Sequence, residues 1–178
     1  MTKSLNPVIP KSPLPIRLDW MTRLDFEGVL AIEAESFRFP WDVENFVHVL
    51  HDPTCIGIVA RIGGGTAGFA VVDYRPQYLQ ILDLAVDGDC RRRGVGSAIL
   101  ADLARRCRKT RRRRIIANVS EASFAAQQFF AGNGFRAVEV VRDAFEGRAP
   151  DGRLVCVEDA YRFVLSLDKT IAHLQNGK

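Results

Sequence analysis

The sequence is short of the residues that build metal centres and disulfide frameworks. Its four cysteines, Cys55, Cys90, Cys107 and Cys156, show no CxxC spacing, and its three histidines, His48, His51 and His173, are scattered. No ligand set for zinc or a related metal emerges from that pattern, so no metal is expected and the cysteines read as reduced, mostly buried thiols. No apolar run approaches the roughly 20 residues needed to cross a bilayer, so no membrane association is expected. The first residues are polar and interrupted by Pro7, Pro10, Pro13 and Pro15. They lack the apolar core of a signal peptide. A flexible leader over 1–15, a folded region over 16–167, a tail over 168–178 and a cytoplasmic location are the corresponding expectations.

What is present is an ordinary globular composition with an uneven charge. Hydrophobic residues make up 47% and charged residues 26% of 178 residues, which suits one domain with a sizeable core. The formal net charge of +4 is concentrated: only Cys107 and Thr110 interrupt Lys and Arg between Arg105 and Arg114, and Arg91–Arg93 form a second cluster. Such clusters imply an anionic partner, and a phosphorylated cofactor, an acidic protein or ribosomal RNA would each qualify. No interleaved aromatic residues support base recognition. The cations at the end of a helix also match its dipole.

Periodicity predicts the order β-α-α-β-β-β-α-β-α-β-β, with no internal repeat. Ile16–Trp20 alternates like a first strand. Thr22 or Asp25 could cap a helix with Leu24, Val29, Leu30 and Ile32 inward. Asp42 reads as the N-cap of a second helix with Val43, Phe46, Val49 and Leu50 inward. Strands over 54–61 and 66–74, joined by Gly63-Gly64-Gly65, form a hairpin. Tyr78–Val86 is a more continuous apolar run, expected at the middle of a sheet. A long helix from about Gly94 buries Ile99, Leu100, Leu103, Ala104 and Cys107. Ile115–Val119 is a strand, and Ser123 could cap a helix that ends at Gly132–Gly134. Phe135–Val141 and Tyr161–Leu167 are the last strands, joined by an irregular stretch.

The most informative segment follows the Tyr78–Val86 strand: Arg91-x-x-Gly94-x-Gly96-Ser97, then the amphipathic helix. A helix start presents free N–H groups and partial positive charge, and two glycines let an anion approach the backbone. A Walker loop would need Gly-Lys-Ser/Thr, which is absent. A dinucleotide fingerprint would need Gly or Ala at Ile99 and an acid about twenty positions on, where Arg111–Arg114 stand.

This turn resembles the cofactor-binding motif of the GNAT acetyltransferases, and Phe129-Phe130-x-x-x-Gly134-Phe135 is similar to that family's second conserved helix and following strand. Glu35-Ser36-Phe37, Pro40-Trp41-Asp42 and Phe46 resemble the ribosomal-protein-alanine N-acetyltransferase branch. The resemblance implies a single α/β GNAT-like domain: a mixed central sheet of about six to seven strands flanked by about four helices. It implies acetyl-CoA as cofactor. The backbone of Leu84, Ala85 and Val86 would pair with the pantetheine arm, and the amides of Arg93, Gly94, Val95, Gly96 and Ser97 would hold the pyrophosphate. Arg91, Arg92, Ser123, Phe129 and Phe130 would complete the cofactor side, with Phe130 as wall or core. One N–H near Val86 would stabilise the oxyanion. Phe39, Pro40 and Trp41 would line the acceptor's entrance, or else pack as core.

The expected proton-transfer positions depart from the family pattern. Related enzymes carry ionisable or phenolic side chains at the positions of Gln80, Asn118 and Phe130, and these three cannot exchange a proton at neutral pH. Gln80 and Asn118 would instead orient a water. Asp83, expected on the opposite face of its strand from Gln80, and Glu158 and Asp159, expected before the last strand, are the remaining acids; Tyr74, Tyr78 and Tyr161 are possible acids for the thiolate. A site without a base favours an amine of low pKa. An α-amine titrates at about 7.7–8 and a lysine at about 10.4. The reading is therefore an N-acetyltransferase acting on a protein or peptide N-terminal amine. A small-molecule amine acetyltransferase and a catalytically weak acyl-CoA-binding module are the alternatives.

Overall fold

Strand β3 (Gly65–Tyr74) is buried on both faces from Ala67 to Asp73, and the rest of the molecule is layered around it. The structure, a computed structural model, describes residues 15–148 and 153–168. The expected leader up to residue 14 and most of the tail lie outside the described residues. Among the described residues, seven strands form one mixed sheet in the order β1-β2-β3-β4-β5-β7-β6. They are β1 (Arg17–Trp20), β2 (Cys55–Ile62), β3, β4 (Tyr78–Val86), β5 (Arg114–Ser120), β6 (Arg136–Arg148) and β7 (Leu154–Ser166). The helices are α1 (Phe26–Ser36), α2 (Val43–Leu50), α3 (Val95–Lys109) and α4 (Phe124–Gly132). The predicted element order holds throughout.

Local chemistry accounts for the punctuation. Gly63 and Gly64, with φ of 60° and 90°, supply the left-handed backbone of the β2–β3 hairpin. Asp42 accepts the Asn45 N–H at 2.8 Å, and Asn45 returns the bond to the Asp42 N–H at 3.1 Å, so α2 starts with a reciprocal cap. Thr22 and Asp25 cap a single 3-10 turn over Arg23–Asp25 just before α1.

Two cores flank the sheet. One joins β2–β5 and Phe163 of β7 to α3 and α4 through Ile99, Leu103, Ile115 and Phe130. The other joins Val59, Phe69 and Val71 to Val29 and Ile32 of α1 and Phe46 of α2. Phe46 is fully buried, with ring centroids 5.4 Å from Trp41 and 5.7 Å from Phe69. Every residue predicted for the buried side of α3 is buried.

Four expectations are corrected. Leu24 is 94% exposed, because the 3-10 turn breaks the helical phase that would have carried it inward. Val43 also faces outward, as the first residue of α2. Cys107 is the one buried thiol among four free cysteines; the other three are half-buried. The stretch expected to be irregular is instead a long β6–β7 hairpin whose ladder runs on through Phe145↔Glu158 and Gly147↔Cys156. Register shifts absorb its irregularities, and Glu158 and Asp159 lie inside β7 rather than before it.

Candidate active site

The sheet splits where β4 and β5 run parallel. Their ladder covers only Tyr78↔Arg114 to Ile81↔Ala117. Beyond it β4 continues to Val86 on β3, while β5 continues to Ser120 on β7. The edges of Leu82–Val86 and Asn118–Ser120 therefore face each other without pairing, which leaves main-chain groups for an extended polar ligand. Leu84, Ala85 and Val86 stand along this gap.

The gap opens onto the start of α3. After β4, a 3-10 turn over Gly88–Cys90 leads to Arg92 and Gly94, with φ of 61° and 85°. Among the described residues no side chain caps α3; its first internal bond is Ala98 N–H to the Gly94 carbonyl at 2.9 Å. The amides of Val95, Gly96 and Ser97 precede that bond and lack intrahelical acceptors. A Cβ at Gly94 would meet nothing within 4 Å, so the approach is open, and the positive φ is what requires glycine there. These observations fit a diphosphate on a long polar arm.

The missing side chain of Gly96 also serves packing. A Cβ there would come within 2.8 Å of the Phe129 ring, so its missing side chain lets α4 close against α3. Arg91 is also committed elsewhere: its Nε donates to the Val86 carbonyl at 3.0 Å, and its guanidinium reaches the Ser36 hydroxyl at 3.3 Å. It ties the end of β4 to α1. Arg92, Arg93 and Ser97 are exposed around the opening. Ser123 is the N-cap residue of α4 but makes no side-chain cap bond. Phe130 is buried between Phe129, Phe135 and Phe163 and brings no hydroxyl.

The other side of the gap is roofed by the α1–α2 link. The Phe39 ring occupies the space that a Cβ at Gly147 would need, beside Cys156, so the link touches the β6–β7 hairpin. Pro40 is exposed and Trp41 half-buried against Phe46. Glu33 of α1 accepts the Trp41 N–H at 2.8 Å.

A β-bulge beneath this roof overturns one expectation. Val71 pairs with Asp83 but Val72 with Ile81, so Leu82 is the extra residue in β4. Strict alternation would set Asp83 opposite Gln80; the bulge turns Asp83 onto Gln80's face, towards α1. Asp83 and Glu33 meet there, only 7% and 2% exposed. Burial, and then the Glu33 carboxylate, push the Asp83 carboxyl up to about 8. Burial raises Glu33 too, against the lowering effect of the Trp41 N–H.

Gln80 and Asn118 share this face on adjacent strands, since Gln80 pairs with Ile116 and Asn118 lies two residues on. Arg162 of β7 donates from Nε to Asn118 Oδ1 at 3.2 Å and from its terminal nitrogen to Glu139 at 3.0 Å. An arginine only donates, so Asn118 turns its oxygen to Arg162, which leaves its NH2 without a hydrogen bond among the described residues. Glu158 accepts from the Ser120 hydroxyl at 2.6 Å, and Asp159 is held by Arg142 and the Asp143 N–H. Tyr74 lies under Arg112 at the far end of the sheet, where Tyr78 begins β4; Tyr161 packs into the α3 core. Glu33, Arg162 and Glu139 were not singled out from sequence. An acid inside a helix and an ion pair across two late strands carry no local signal.

Among the described residues no group of three or more His, Cys, Asp or Glu side chains could hold a metal ion, and no helix is long and apolar enough to cross a membrane.

A parallel pair splayed at its C-terminal end opens onto an uncapped helix behind an Arg/Gly turn, a frame suited to a long phosphorylated ligand. The chain belongs to the acetyltransferase (GNAT) family, whose model matches residues 26–135, and it is an N-acetyltransferase of that family. A Bacillus subtilis (strain 168) protein, provisionally named a ribosomal protein bS18-alanine N-acetyltransferase, is 23% identical over 134 residues, 75% of this chain and 89% of that protein. The crystal structure of the ribosomal-protein-S18-alanine N-acetyltransferase from Escherichia coli superposes with a TM-score of 0.72 at 22% identity, over 90% of this chain and 99% of that one. A GNAT family acetyltransferase from Elizabethkingia anophelis, with acetyl-CoA bound, gives 0.66 at 14% identity, over 85% and 97%.

Proposed function

We propose that this protein moves an acetyl group from acetyl-CoA to the α-amine of a protein or peptide N-terminus, by direct attack while both substrates are bound. The observation that carries the reading is the unpaired gap between β4 and β5, open to the α3 amides at one end and roofed by Phe39–Trp41. The amides from Arg93 to Ser97 would hold the pyrophosphate, Arg92 would add charge beside it, and the backbone of Leu84–Val86 would pair with the pantetheine arm. Phe129, set against Gly96, would form the wall where α4 meets α3. Bound acetyl-CoA supplies an activated thioester carbonyl. A main-chain N–H near Val86 would hold the oxygen of that carbonyl as the amine attacks. Gln80 and the free NH2 of Asn118 would orient water and acceptor.

The acceptor class follows from pKa. An α-amine is roughly a fifth or more neutral at pH 7.4, whereas about one lysine amine in a thousand is. Gln80, Asn118 and Phe130 carry no side-chain base or acid, which favours the first. The names of the Bacillus and Escherichia relatives, which give an alanine of a ribosomal protein as acceptor, accord with an α-amine. A cytoplasmic setting accords with such a substrate.

The Arg105–Arg114 run lies at the end of α3 remote from the cleft. Arg105 and Arg106 bind Asp102, Arg112 stacks on Tyr74, and Arg113 lies 3.9 Å from Asp168. Arg108, Lys109, Arg111 and Arg114 show no ion pair among the described residues, and they would suit an acidic or ribosomal partner docked away from the mouth.

Thiol release from acetyl-CoA, measured with N-terminal peptides, polyamines, amino acids and aminoglycosides, tests the reading. Peptides with free α-amines should turn over and the same peptides with blocked amines should not. Preference for a small amine would favour the small-molecule alternative. Binding of the cofactor with no turnover would favour a binding module, which the missing base and acid make the second reading.

A further inference from the structure

We propose that Glu33 and Asp83, buried together beneath the acceptor's entrance, take up through water the proton that the attacking amine sheds, in place of the absent side-chain base. The inference rests on the acetyl-transfer reading above. Its geometry stands on three observations. The bulge at Leu82 puts Asp83 on the face that carries Gln80, next to the unpaired gap. Glu33 spends one oxygen on the Trp41 N–H at the roof. Among the described residues, Glu33 Oε2 and Asp83 Oδ2 are both buried with no hydrogen-bond partner beyond the facing carboxyl. Buried acceptors in that state are satisfied by a shared proton or by an ordered water. A purely structural anchor for Trp41 would need only one acceptor oxygen, and a second buried carboxyl beside it is a cost.

Among the described residues, the charges around the pair do not neutralise it. From α1 the pair faces Glu33 itself, with Glu35 exposed farther along, and from β4 Asp83 itself. Asp73 of β3 is tied to Arg75. Arg38 of the α1–α2 link lies over Phe39, and Arg91 donates to Ser36 at the end of α1. Two acids facing each other without a cation hold one proton between them at neutral pH. Their upper titration, about 8 at Asp83, lies where an α-amine titrates and where a general base works best near neutral pH.

The step balances. The amine nitrogen bonds to the thioester carbon, the C–S bond breaks, and the thiolate leaves with the electron pair. The nitrogen's proton passes through water to the dianionic form of the pair. A thiol titrates at about 8.5, so the proton can pass on to sulfur and the pair is restored.

Three proteins test this: wild type, Asp83→Asn and Glu33→Gln. The last keeps an oxygen for the Trp41 N–H while removing the facing charge. Wild-type kcat, with a saturating N-terminal peptide, should rise with pH through about 8. Asp83→Asn should lower kcat by about 100-fold or more and lose that limb, with heat of coenzyme A binding unchanged. Glu33→Gln should move the limb to lower pH by about one unit or more. Folding stability gives a readout apart from turnover. Folded Asp83 keeps its proton to about pH 8, whereas the unfolded carboxyl loses it near 3.9. The folded state thus binds more protons between those values, and wild-type stability should fall as pH rises across that window, then level off. Asp83→Asn should flatten that decline. Asp83→Asn with kcat within about threefold of wild type and the same limb overturns the proposal, even if the stability change appears. If Asp83→Asn does not fold, an unmoved limb in Glu33→Gln overturns it instead. If wild type turns over no amine while still binding coenzyme A, the acetyl-transfer reading fails first and the proton role with it.

Discussion

Gly94→Val should weaken coenzyme A binding by about 100-fold or more. The residue sits at φ +85° with open space around its Cα, so the substitution meets no neighbour and acts through the backbone. A β-branched side chain in the left-handed region costs roughly 1–2 kcal/mol and is relieved by moving the turn. The turn carries the Val95–Ser97 amides, and a hydrogen bond to a charged group contributes about 1.5–3 kcal/mol. Misplacing two of them reaches the two decades expected. Gly64→Val is the matched control: φ +90°, equally open, but in the β2–β3 turn. Calorimetry should find its affinity unchanged. Equal losses in the two variants would show that only general strain had been measured.

Phe46→Ala should destabilise the protein by about 3–5 kcal/mol, the range for truncating a fully buried aromatic residue. Phe46 holds Trp41, Phe26 and Phe69 together and so joins α2 and the entrance link to the sheet. At roughly 2–4 °C per kcal/mol for a chain of this length, Tm should drop by about 10 °C. Coenzyme A affinity should survive in the folded fraction, because α3 packs on the opposite face of the sheet. The acceptor's KM should rise as Trp41 loses its edge-on partner. Denaturant midpoints checked against ligand calorimetry separate these effects; a loss below about 1 kcal/mol would mean that the site collapses around the gap.

The elements that could be read from sequence are those whose signal is local. Gly63–Gly64 marked the hairpin, the spacing of Ile99, Leu103 and Cys107 marked the buried side of α3, and Asp42 marked the start of α2. What escaped depends on partners distant in sequence. The bulge at Leu82 is a mismatch between β4 and β3, and nothing in Leu-Gln-Ile-Leu-Asp-Leu announces it; without it Asp83 points away from Gln80. Glu33 reads as one more solvated helix acid until β4 is placed beneath it. The β6–β7 hairpin was shortened because Gly147 and the Pro150-Asp151-Gly152 run suggest a loop, although Leu154–Val157 is strand-prone and pairs across it. Gly96 was legible as a position needing no side chain, but the group it makes room for, the Phe129 ring, comes from another helix.

The uncapped start of α3 and the unpaired gap beside β4 are the parts on which everything else stands. Amide hydrogen exchange with and without coenzyme A tests them most directly. The Val95, Gly96 and Ser97 amides have no intrahelical acceptor, so they should exchange fast in the free protein and slow markedly once the ligand is bound. Binding of coenzyme A that leaves those three amides exchanging as before, with protection appearing on another face, would contradict the account.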